Sequence, residues 1–233
     1  MFELRDPVSS GTHLFTCLWA IFVTLMLRRL TVGDRVKRLS VTVFGLSMVL
    51  LYFLSGLFHA LMLPREQLRI FQKLDQSAIY LLIAGSYTPV MAVLLTGRWR
   101  RFLLKGIWLL ALIGIACMWL LPKALHSVTV ALYLGMGWFG MLGLWQYYKA
   151  TGWRGMVWAI GGAFFYTLGA VFELLQWPVL WPGVIGGHEM LHISDMVGTY
   201  CEVVFVMRFV LAYQATAGAI LATQHREAIS DAA

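Results

Sequence analysis

Seven runs of predominantly apolar residues divide this chain, at about residues 10–27, 40–63, 74–96, 102–121, 126–148, 155–176 and 188–213. At ~1.5 Å of rise per residue, each is long enough as a helix to cross a hydrocarbon core of ~30 Å. Inside that core every backbone amide and carbonyl must be paired within the protein, and a helix is the local way to do so. The run lengths therefore predict an all-α integral membrane protein, a bundle of seven transmembrane helices in one domain. Composition agrees: 60% of the residues are hydrophobic and 12% charged, outside the range of soluble globular chains. Residues 224–233 read as a polar C-terminal tail. The first run is read as a retained span and not a cleaved leader, because Glu3 and Asp6 flank Arg5 where a leader is basic.

The net charge of +7 is distributed between the spans. That pattern sets topology and gives no nucleic-acid surface. Arg5, Arg65, Arg69, Lys73 and Lys123 fall on one side, five in all. Arg28, Arg29, Arg35, Lys37, Arg38, Arg98, Arg100, Arg101, Lys105, Lys149, Arg154, Arg208 and Arg226 fall on the other, thirteen in all. The bias predicts an external N-terminus and a cytoplasmic C-terminus in a cell (inner) membrane. Cys17, Cys117 and Cys201 stand singly within spans and read as small packing residues. Glycines 135, 137, 140 and 143 would let the fifth span approach a neighbour closely.

Polar residues inside spans are costly and point to function. Ser55 and His59 share a helix face near the end of the second span, Asp75 opens the third, and His188 and His192 lie four apart at the start of the seventh. Alternating topology puts all three places at one membrane surface. Three neutral imidazoles suit Zn²⁺ and leave its fourth position open, as in catalytic sites, with a structural zinc as the alternative. Asp75 within reach could take a proton from water, or could cap the third span beside Lys73. His188-Glu189-x-x-His192 also spells a zinc-protease string, but the third histidine lies elsewhere and Glu189 is turned about 100° from His188. Asp195, three residues after His192, and Glu202, seven further on, are candidates to support a ligand histidine. Glu173 is expected to line the same cavity, pair with a cation or form an interior hydrogen bond. His13 and His126 read as buried histidines satisfied by a neighbour.

Ser-x-x-x-His at Ser55–His59, Asp75 ahead of I-x-x-L-I-A-G-x-Y-T-P ending at Pro89, and His-x-x-x-His at His188–His192 together resemble the hemolysin III branch of the progestin and adipoQ receptor (PAQR) family. The resemblance spans nearly the whole chain and is most specific from Ser55 to Pro89. It departs at Gln76, where histidine often follows the aspartate, and at Phe58, where tyrosine is usual. In that family and the related alkaline ceramidases, three histidines hold zinc while an aspartate and a serine surround its water. By motif, the resemblance implies zinc ligands His59, His188 and His192, with Asp75 and Ser55 as catalytic residues. It further implies a ceramide-like lipid, phospholipid or fatty acid as partner, and a lipid amide or ester hydrolase or a lipid sensor in membrane homeostasis. A pore-forming cytolysin, or a receptor with a structural zinc, are the alternatives.

Overall fold

The computed structural model describes residues 4–120 and 126–214. The expected tail at 224–233, the end of the fourth run at Pro122 and Lys123, and the side chain of His126 lie outside the described residues.

The chain forms α1 (Pro7–Leu30), α2 (Arg35–Ala60), α3 (Arg65–Leu94), α4 (Gly97–Leu120), α5 (His126–Gly140), a tighter turn (Met141–Gly143), α6 (Leu144–Leu175) and α7 (Gly187–Phe205), which continues into a wider turn at Val206–Val210. Pro7 starts α1 where its missing N–H costs nothing, and the Asp34 carboxylate caps α2 by accepting from Lys37 N at 2.9 Å. Among the described residues, six helical stretches are long and apolar enough to cross a membrane. The fifth of these is continuous over 48 residues, Val128–Leu175, where the sequence reading expects two spans. It is broken at Gly152, whose φ of 65° and ψ of −176° no helix contains. That left-handed backbone favours glycine, and it falls among the six residues, 149–154, that separate the fifth and sixth runs.

Packing follows from which face of each helix is small or apolar. On α1, Cys17, Ala20, Val23 and Leu27 are buried, while Phe15, Leu18, Phe22 and Leu25 form an exposed apolar stripe. A stripe of that kind is costly in water and natural against lipid. On α4 the buried residues Leu103, Ile107, Ala111, Gly114 and Met118 recur every three or four positions, so one face meets the bundle. Helix α2 packs between α1 and α3, and α7 packs on α6 and also touches α1. Gly140 and Gly143 lie under the rings of Tyr87 and Tyr147, whereas Gly135 and Gly137 have open space beside their Cα atoms. The close approach to a neighbouring helix expected of all four glycines is therefore made at Gly140, against Tyr87 of α3, while Gly143 makes room for Tyr147 one turn further along its own stretch.

The two ends of the bundle are tied differently. At one, Lys37 Nζ donates to the Leu211 and Tyr213 carbonyls, both at 2.8 Å, joining the start of α2 to the segment after α7. At the other, the end of α2 and the start of α7 meet the start of α1.

Candidate metal centre

Helix α2 delivers Ser55 and His59 in its last two turns, both buried. Helix α7 begins at the same level. Gly187 makes that possible: a Cβ there would stand 2.6 Å from the Phe172 carbonyl oxygen and 2.8 Å from Trp177 N, so only glycine lets α7 start against the end of α6. The Glu189 carboxylate folds back to accept the Gly186 N–H at 2.8 Å and also accepts the Ser9 hydroxyl at 3.2 Å. It caps α7 and ties it to α1.

This start aims His188 and His192 at His59. The ligand atoms of the three histidines lie within 4.8 Å of one another, a group that could hold a metal ion. The Nε2 atoms of His188 and His59 are 3.4 Å apart. Two nitrogens bonded at ~2.05 Å to one tetrahedral ion lie ~3.3 Å apart, and the observed spacing is close to that. The other ring nitrogens decide the tautomers. His59 Nδ1 is 3.0 Å from Asp6 Oδ2, and His188 Nδ1 is 3.0 Å from Glu173 Oε2. With a proton on each Nδ1 donated to its carboxylate, both Nε2 lone pairs would face one another. A shared cation would relieve that opposition. His192 Nδ1 is buried without a partner, as is consistent with a donor set made for an ion.

A cavity of about 260 Å³ opens beside the cluster. Ser55, Asp75, His188 and His192 line it together, with Asp195 and Glu202 further along. Asp75 does not cap a helix. Pro64 precedes the first residue of α3, and Asp75 stands ten residues inside, interacting with the Ser55 hydroxyl. At 30 residues and ~1.5 Å each, α3 is ~45 Å long, so its polar first turns extend past the hydrocarbon core. Hydropathy marks where lipid begins and not where the helix begins. The carboxylates that meet the histidine cluster are Glu173 and Asp6, whereas the Asp195 side chain lines the cavity and Glu202 accepts from Tyr166 Oη at 3.3 Å.

Two participants escape the sequence reading. Asp6 is the residue before α1, and its backbone N–H donates to the His59 carbonyl at 3.0 Å. Partial burial raises its carboxyl pKa, but the hydrogen bonds from His59 and Arg5 outweigh this and hold it below the ordinary carboxylate value. Arg5 Nε donates to the same Asp6 oxygen at 2.9 Å, and its guanidinium lies 4.2 Å from the centre of the Phe58 ring. The available signal was positional: the first residues share a membrane surface with the three motif sites. The second participant is His13, read as satisfied by a neighbour. Neither of its ring nitrogens has a partner, and the ring is stacked on His192 at 3.9 Å between centres. The faces of α1 and α7 bring imidazole onto imidazole, a tertiary contact that no local pattern encodes.

A helical membrane bundle with a three-histidine cluster, two of its rings buried, beside a largely apolar cavity is the class these observations define. The chain belongs to the haemolysin-III related family, whose model matches residues 3–203. It is 29% identical over 209 residues to Hemolysin-3 of Bacillus cereus, covering 90% of this chain and 92% of that one. It is 30% identical over 212 residues to the Hemolysin-3 homolog of Bacillus subtilis (strain 168), covering 90% and 96% respectively. The human monocyte to macrophage differentiation factor is 28% identical over 165 residues, covering 69% of this chain and 68% of its own length.

Proposed function

We propose that this protein is a zinc-dependent hydrolase of an amide or ester bond in a membrane lipid, with ceramide-like lipids and phospholipids as the classes to test. The supporting observation is one juxtaposition: His59, His188 and His192 converge where Ser55 and Asp75 line an otherwise apolar cavity. The three imidazoles would hold Zn²⁺, which supplies Lewis acidity and brings the pKa of a water toward about 7. Asp6 and Glu173 orient His59 and His188 through their Nδ1 hydrogens. Asp75 accepts the proton of the attacking water, and Ser55 holds the Asp75 carboxylate in place. The apolar walls take the acyl chain and exclude bulk water.

The reading extends to topology. Broken at Gly152, the 48-residue stretch gives two crossings, and the bundle has seven in a single domain. The thirteen-to-five distribution of basic residues puts the N-terminus outside, the C-terminus in the cytoplasm and the histidine cluster near the outer face of an inner membrane.

Fatty-acid release from ceramide-like and phospholipid substrates in liposomes tests the chemistry. Asp75→Asn should retain metal and lose most turnover, since an amide cannot take the proton. Ser55→Ala should lose about tenfold to a hundredfold, the kinetic equivalent of ~1–3 kcal/mol for one positioned hydrogen bond. Wild-type release no greater than that of a metal-free His188→Ala control would overturn the hydrolase in favour of a receptor with a structural zinc. A pore is the second reading, favoured by the name of the Bacillus cereus relative. Liposome leakage that is equal in wild type, Asp75→Asn and His188→Ala would establish it instead.

A further inference from the structure

His13 sits on the inward face of α1 with 4% of its surface exposed, and both ring nitrogens lack a hydrogen-bond partner. Its surroundings offer little. The Ser10 hydroxyl donates to the Gly56 carbonyl at 3.1 Å, Thr16 to the Thr12 carbonyl at 2.8 Å, and Tyr52 Oη pairs with Thr199 Oγ1 at 2.6 Å. The His13 ring lies on His192 with 3.9 Å between centres and 18° between planes, and meets Tyr52 at 5.3 Å and 88°. A phenylalanine would make both aromatic contacts without burying two unpaired nitrogens. Buried polar atoms of this kind are ordinarily paired, so the arrangement calls for a partner that comes and goes. The ring lines the same cavity as Ser55, Asp75 and the histidine cluster.

The stacking restricts what that partner is. An ion bonded to His192 lies in the plane of that ring. It is then separated from the nearly parallel His13 plane by about a stacking distance, well beyond a metal–nitrogen bond of ~2.0–2.1 Å. An oxygen atom on the cavity side, in the plane of the His13 ring and beyond one of its nitrogens, is within hydrogen-bond reach at ~2.7–3.2 Å. We infer that His13 binds the acyl oxygen of the lipid in the cavity, donating an N–H to a carboxylate or carbonyl oxygen whose carbon lies beside the histidine cluster. The inference rests on the proposed metal site and names a third polar contact, from α1, beside Ser55 and Asp75. It assigns the ligand an acyl head and the site a donor that no motif marks.

The test uses the full-length protein in detergent with Co²⁺ as the probe metal and decanoate as the probe acyl ligand. Visible absorption reports Co²⁺ uptake and its perturbation by decanoate, and displacement of a fluorescent fatty acid reports decanoate binding independently of metal. His13→Phe, which keeps the stack and removes the nitrogens, should bind Co²⁺ as wild type does and decanoate about ten- to a hundredfold more weakly. His13→Asn, which keeps a donor, should recover part of that loss. Wild-type decanoate affinity in His13→Phe would make the ring a packing residue and overturn the inference. So would loss of Co²⁺ from His13→Phe, which would make it a ligand of the ion, and so would absence of decanoate binding to wild type. If wild type takes up no Co²⁺, the metal reading fails, and the displacement assay alone decides the role of His13.

Discussion

Asp6→Asn and Glu173→Gln test whether the two carboxylates orient the metal ligands. Each replaces a carboxylate by an amide of the same shape at a 3.0 Å contact to a histidine Nδ1. The amide oxygen can still accept, but without the charge that makes such a bond roughly twice as strong. Losing support of this kind typically costs ten- to a hundredfold in metal affinity, ~1.4–2.7 kcal/mol. Burial ranks the two pairs alike. In the first, the histidine side chain is 4% exposed and the carboxylate 41%; in the second the values are 39% and 10%. Each pair has one dry and one wet partner, so solvent screening places both near the lower end, about tenfold. Because the two carboxylates contact different histidines, the double variant should lose close to the product, about a hundredfold. Competition for Zn²⁺ against a chromophoric chelator, on detergent-purified protein, measures all three. Affinities within twofold of wild type in both single variants would refute the tautomer argument and reduce Asp6 and Glu173 to packing partners.

His59→Ala should abolish stoichiometric zinc, measured by elemental analysis, while membrane insertion persists because the apolar runs are intact. A reporter active only in the cytoplasm should work after Ala233 and fail at the N-terminus; the reverse would move the histidine cluster to the cytoplasmic face. Glu189→Ala should lower thermal stability in detergent by about 0.5–2 kcal/mol through the lost cap of α7 and leave zinc affinity unchanged. A loss of zinc equal to that of His59→Ala would give Glu189 a part in the site beyond capping.

Most of the helical architecture was legible because lipid enforces it: a run of apolar residues has few folds open to it in a bilayer. The convergence of Ser55, His59, Asp75, His188 and His192 was legible from alternating topology and i, i+4 spacing. What escaped has a common physical origin. The start of α3 lies nine residues ahead of the run at residue 74, because a helix continues into the interface where hydropathy loses its contrast. Asp6 lies outside any span, and its contact with His59 depends on how the chain enters α1. His13 looks like any isolated intramembrane histidine until α1 and α7 pack. The long stretch from Val128 to Leu175 hides its break in one backbone angle at Gly152, a residue type too common here to signal a turn by itself.

The depth at which polar groups stand in the cavity bears on the choice between lipid and pore. Ser55, Asp75 and the histidines occupy one level. Glu202, held by Tyr166, is ten residues past His192 and so ~15 Å further along the α7 axis. Between those levels the lining sets Ile79, Leu82 and Ile83 beside Tyr52, Thr167 and Asp195; the Tyr52 hydroxyl is paired with Thr199 and the Thr167 hydroxyl donates to the Ala163 carbonyl, so Asp195 is the main polar group left to water there. A conducting path needs polar groups or wide space at every depth, whereas an acyl chain needs an apolar wall and a polar end. At the opposite end of the bundle, Lys37 fastens the start of α2 to the carbonyls after α7. On the proposed reading, the cavity would take a single-headed amphiphile with its head at the histidines. A methylene tail long enough to reach the Glu202 carboxyl would gain nothing from it and would displace the Tyr166 hydrogen bond, so chains of that length should bind more weakly.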